Sequence, residues 1–131
     1  MAKLRHLALQ VQDLDKAAKF YEHVFELKRV KEAKTSLGDA VMLTDGVMNL
    51  TLLKFHDMRS AQGRGLDFVG PHHMGFVVDD KAAMLKRIEA AGGKYFMELE
   101  AQPGIDAETK CKDPEGIVFD IAEHVWSGAK V

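Results

Sequence analysis

The chain states its opening pattern twice. His6-Leu7-Ala8-Leu9-Gln10-Val11-Gln12-Asp13 returns as His73-Met74-Gly75-Phe76-Val77-Val78-Asp79-Asp80 at an offset of 67 residues. His, Val and the final Asp are identical, and every apolar position keeps its class. A repeat of this kind constrains the fold more than any composition does, because each copy must be one supersecondary unit that buries its apolar face against the other.

The residues after each copy extend the parallel. Leu14, Ala17, Ala18, Tyr21, Val24 and Phe25 recur at helical spacing and lay one apolar stripe along a helix. Asp13 or Asp15 can cap its start. In the second copy Met84, Leu85, Ile88 and Ala91 make the stripe, Asp79 or Asp80 caps it, and Gly92-Gly93 ends it. Strands are expected near 27–33, 39–44 and 47–55, and again near 94–99, 107–112 and 117–124. Asp45-Gly46 has the chemistry of a two-residue hairpin turn, and Asp113-Pro114-Glu115-Gly116 suits a type I turn. Each half therefore reads β-α-β-β-β. The expectation is an α+β domain with one module over about 4–55, a Gly-rich and polar linker over 56–71, a second module over about 72–125 and a short C-terminal tail.

Charge and apolar content exclude several partners. The net charge is −2 and Lys and Arg form no dense block, which argues against nucleic acid or an anionic membrane. No apolar run approaches the ~20 residues of a membrane span, and the first residues lack a signal-peptide core. A cytoplasmic location is expected. The single Cys111 has no partner for an internal disulfide.

Two segments, Leu14-Asp15-Lys16-Ala17-Ala18-Lys19-Phe20-Tyr21 and Lys112-Asp113-Pro114-Glu115-Gly116, together with the His that opens each half, resemble the vicinal oxygen chelate superfamily. That group includes glyoxalase I, methylmalonyl-CoA epimerase, type I extradiol dioxygenases, fosfomycin-resistance enzymes and bleomycin-binding proteins. The resemblance covers about residues 4–125. It implies that the two modules curl a mixed sheet, flanked by the helices, into a cup around a ligand or metal ion. Members pair their modules within one chain or between two. A homodimer is expected, with Trp126 and the tail 127–131 as a contact surface.

Strand alternation then sorts the side chains. Leu7, Leu9 and Val11 share the helix face of the first strand, and His6, Ala8 and Gln10 the cup face; Met74, Phe76 and Val78 divide from His73, Gly75 and Val77 in the same way. Asp120 and His124 point into the cup from the last strand, and Asn49 from the closing strand of the first half. His72 alternates with His73 and is expected to face away. By the resemblance, His6, His73 and Asp120 are metal ligands, Asp120 standing where the family usually has Glu. Asn49 stands where glyoxalase I has Glu and the epimerase Gln, as a fourth ligand or a substrate-orienting group. His124 is a spare acid or base at the cup rim, and Gly63-Arg64-Gly65 a candidate lid.

Two imidazoles and one carboxylate suit a single divalent ion (Fe, Mn, Co, Ni or Zn) and leave positions open for a small-molecule substrate. The expected function is a divalent-metal-dependent enzyme acting on a small oxygen-bearing metabolite, either a glyoxalase-like lyase or isomerase or an extradiol-type dioxygenase. The alternative is a metal-free small-molecule binding protein of the bleomycin-resistance type, its cup walled by Phe55, Phe68 and Trp126.

Overall fold

Two amphipathic helices need one apolar sheet face to cover, and a duplicated unit supplies it twice. A computed structural model describes residues 1–61 and 64–131. The first module comprises β1 (Lys3–Gln10), α1 (Leu14–Phe25), β2 (Lys28–Lys34), β3 (Gly38–Thr44) and β4 (Asn49–Phe55). A one-turn α2 (Met58–Ala61) follows, and then β5 (Gly70–Val77), α3 (Lys81–Ala90), β6 (Lys94–Leu99), β7 (Glu108–Lys112) and β8 (Val118–Ala122). The strands form one mixed sheet in the order β2-β3-β4-β1-β5-β8-β7-β6. Within each module the first and last strands pair in parallel, and the modules meet where β1 and β5 run antiparallel. Both opening strands, and with them both repeated histidines, therefore occupy the middle of the sheet.

Local chemistry sets the helix limits. The Asp13 carboxylate accepts the Lys16 N–H at 3.0 Å and Asp80 accepts that of Ala83 at 2.9 Å, so the residue directly before each helix is its cap. Such caps contribute about 1 kcal/mol each. Ala18 and Tyr21 of α1 pack on Val41, Leu43 and Leu52, joined by Leu9 and Val11. Beneath α3 lie Val78, Cys111 and Ile121, joined by Phe76, Met84, Ile88 and Phe119. Burial pushes the Cys111 thiol up to about 11, so it is an inert core residue. Both helices take the same face and leave the other free to form the cup.

Three expectations are corrected here. Thr44 pairs with Asn49, so the first hairpin loop has four residues, 45–48, rather than two. The Asp45 carboxylate accepts the N–H groups of Val47 and Met48, each at 2.8 Å, and this side-chain turn favours the longer loop. Val24 and Phe25 stay exposed at the last turn of α1, where the Phe25 ring meets Tyr21 and Phe20 of its own helix. Leu7, assigned to the helix face of the first strand, is exposed as well. Of the proposed lid, Gly63 lies outside the described residues, while the Gly65 carbonyl accepts a hydrogen bond from buried Gln10 at 2.8 Å. Among the described residues no helix is long and apolar enough to cross a membrane.

Candidate metal centre

One row of residues crosses the centre of the sheet. Asn49 of β4 is opposite His6 of β1, His6 opposite Gly75 of β5, Gly75 opposite Asp120 of β8, and Asp120 opposite Lys110 of β7. The only side chain missing from this row is that of Gly75. A Cβ there would come within 2.7 Å of the Trp126 ring. The gap is filled by that indole, which stacks on the His6 imidazole with centroids 4.6 Å apart and planes 1° from parallel. Trp126, expected at a dimer contact, thus packs inside its own chain, because the residues after β8 turn back over the sheet.

The hydrogen bonds fix where the protons lie. The Asn49 amide places one end 2.9 Å from the Ser127 carbonyl, which only accepts, so that end is the NH2. Its oxygen therefore accepts from the Thr51 hydroxyl at 2.6 Å and from His6 Nδ1–H at 2.8 Å. Asn49, expected as a fourth ligand or substrate-orienting group, is spent on holding His6. His72 Nε2 lies 2.8 Å from the Ala61 carbonyl and must carry the hydrogen, which leaves its Nδ1 bare. That Nδ1 accepts from His73 Nδ1–H at 2.7 Å. Both His6 and His73 therefore have unprotonated Nε2 atoms, and these face each other at 3.2 Å. Asp120 Oδ2 lies 3.1 Å from His73 Nε2 and has no hydrogen-bond partner.

His72 was expected to face away from the cup. The pairing of β1 with β5 shifts between Ala8–His73 and Leu9–Pro71, leaving His72 as an extra bulged residue. A bulge breaks alternation, and both histidines are buried against one another.

The electrostatics keep the pair neutral. Burial, then the neighbouring His73, pushes His6 down to about 4. Burial and the Lys110 ammonium hold His73 well below the usual imidazole range. Unfolded histidines titrate near 6.5. In metal-free protein, stability is therefore complete above about pH 6.5 and falls as the pH drops toward the folded value, because the unfolded chain takes up protons first. Urea denaturation midpoints should decline between about pH 7 and pH 5, and less so in H6N. A flat profile in this range would contradict a buried neutral pair.

Sequence reasoning missed two members of this cluster. Lys110 is 0% exposed, and its ammonium donates to Asp120 Oδ1 at 2.7 Å and pairs with Glu108 at 2.9 Å. Burial pulls its pKa down, but Glu108 and Asp120 more than offset this and leave it raised. Glu108 reaches the same cleft as His6 and His73. That cleft, about 660 Å³ including its open mouth, is lined by Leu37, Leu53, Phe55 and Ile105 among others. His124 lies outside it, beyond the end of β8, with Nε2 3.7 Å from Asp106. Phe68 lies outside it too, under the Arg64 guanidinium at 4.9 Å.

The donor set fits a divalent ion. A shell with metal–nitrogen distances of roughly 2.0–2.1 Å puts neighbouring donors about 3.3 Å apart, close to the 3.2 and 3.1 Å found here. The three ligand atoms lie within 4.8 Å of one another, all on buried residues of this one chain. Because Lys110 binds only Oδ1, Oδ2 remains free.

Comparison with known proteins places these features in context. A family model described as Glyoxalase/Bleomycin resistance protein/Dioxygenase superfamily matches residues 3–121. A methylmalonyl-CoA epimerase solved with methylmalonyl-CoA superposes with a TM-score of 0.73 at 19% identity, covering 92% of this chain and 93% of the other. A hypothetical protein from Bacillus halodurans C-125 gives 0.76 at 17% identity over 99% of each chain. The methylmalonyl-CoA epimerase of Mycobacterium tuberculosis gives 0.71 at 19% identity, covering 90% of this chain and 85% of the other. No curated protein matches the sequence.

Proposed function

The chain belongs to the Glyoxalase/Bleomycin resistance protein/Dioxygenase superfamily, and from that premise we propose that it is a divalent-metal-dependent enzyme acting on a small oxygen-bearing metabolite. The supporting observation is the convergence of three unprotonated lone pairs, on His6 Nε2, His73 Nε2 and Asp120 Oδ2, with no hydrogen between them. Uncompensated, such a contact is unfavourable in a buried site. A bound divalent ion supplies Lewis acidity, drawing electron density from substrate oxygens and stabilising an adjacent enolate or related anion.

Of the reactions open to such a site, proton transfer of the lyase or isomerase kind fits these residues best. Of the three carboxylates that line the cleft, Glu108 is the least exposed, and Lys110 keeps it oriented. In this reading Glu108 takes the proton from substrate and becomes a neutral acid, the negative charge passes to the substrate oxygens, and the Lys110 ammonium stays paired with Asp120. Extradiol-type oxygenation is the competing reaction, and oxygen uptake with catechols separates the two.

The metal reading has a direct test. Protein purified without added metal should carry close to one ion per chain, and His73→Ala should lose it. Adding the ion at about a hundred times its Kd should stabilise the metal-free protein by about 2.7 kcal/mol. No retained metal, and no stabilisation by Fe, Mn, Co, Ni or Zn ions, would sink the reading and favour a metal-free binding protein, for which the apolar cleft walls are suited.

A further inference from the structure

The charges around the cleft are unequal. Glu100, Asp106 and Glu108 line it, and among the described residues Lys110 is the only cation lining it. That ammonium is already committed to Asp120 and Glu108. Among the described residues no arginine lines the cleft, and Lys31 reaches only the adjoining depression beside Ile105 and Asp106. The walls leading inward are aliphatic or aromatic. Among the described residues, an anionic ligand entering here meets carboxylates at the mouth and no forked guanidinium of the kind that recognises phosphate or carboxylate.

We propose that this cleft selects compact, apolar oxygen ligands that are uncharged or cationic, and disfavours phosphorylated or carboxylate-bearing ones. The inference rests on the metal reading above for its oxygen-ligand half, while the charge preference rests on the lining residues alone. It separates this chain from the epimerase that shares its fold and was solved with a CoA ester, since a CoA ester brings several negative charges that must find cations near the entrance. Glu100 and Asp106 are exposed at the mouth, away from the buried cluster. They act as a charge filter there, leaving the metal ligands untouched.

Three probes that share one ring and one chelating group test this: benzohydroxamic acid, its 4-carboxy derivative and its 4-aminomethyl derivative. Their binding to zinc-loaded protein is measured by calorimetry, alongside zinc retention. The neutral and cationic probes should bind at least about tenfold more tightly than the carboxylate. Glu100→Gln combined with Asp106→Asn should narrow that gap to about threefold or less. Tighter or equal binding of the carboxylate overturns the proposal, as does an unchanged gap in the double variant or no binding by any probe. If zinc is not retained and Fe, Mn, Co and Ni ions are not retained either, the metal reading has failed. The same probes are then compared on the metal-free protein, where the order must persist for the charge preference to stand.

Discussion

Replacing Lys110 by Met should lower the stability of the metal-free protein by about 3–5 kcal/mol in urea denaturation. The side chain is as buried as any in the core, and Met nearly matches its shape, so lost packing contributes little. What remains is Asp120 at 0% exposure with its Oδ1 unpaired as well as its Oδ2, and Glu108 close by with no cation between them. Removing one partner of a buried charge set costs more than the set contributes, because the other charges stay behind. Two further measurements separate this from a generic core defect. Glu108→Gln added to Lys110→Met should recover part of the loss, since it removes one of the stranded charges. Saturating divalent metal should recover more, because it restores a cation beside Asp120. A loss below about 1 kcal/mol, or an equal loss with and without metal, would show that the ammonium does not balance this cluster.

Lys110 also marks the limit of what the sequence discloses. The modules, their strands, both helices and the sheet face shared by His6, His73 and Asp120 follow from the repeat and from period-two alternation, because those signals are local; their convergence is what the family resemblance implies. Glu108 and Lys110 carry no such signal, because charged residues on a strand usually lie on its solvated face. The signal that could have found them was register. Asp113–Gly116 closes a tight turn, with the Gly116 N–H donating to the Asp113 carbonyl, and counting back from it sets Lys110 opposite Asp120. His72 was misplaced for a different reason: a bulge is an irregularity in strand pairing, and neither partner strand announces it. Trp126 lies past the last strand, where alternation gives no direction. Its place against His6 depends on the absence of a side chain at Gly75, almost the full length of a module away.

That dependence yields the second large effect. Trp126→Ala should destabilise the protein by about 3–5 kcal/mol, the usual cost of emptying a buried Trp site, and should weaken metal binding by about 10–100-fold in a competition assay. The two histidines are repeats of one another, yet their supports are not. His73 is oriented by His72, which is tied to the Ala61 carbonyl. His6 is oriented by Asn49, which is tied to the Ser127 carbonyl, and its ring lies flat against Trp126. The tail is fastened further by the Thr44 hydroxyl donating to the Gly128 carbonyl at 2.8 Å and the Lys130 N–H donating to that of Val47 at 2.9 Å. Removing the indole should loosen His6 while leaving His73 in place, so the nitrogen resonances of His6 alone should lose their fixed Nδ1–H tautomer. Trp126→Phe, which keeps a stacked ring, should fall between the two in both stability and metal affinity. Unchanged metal affinity in Trp126→Ala, measured where the variant is fully folded, would mean that Asn49 alone holds His6 and that the tail serves only to cover the sheet.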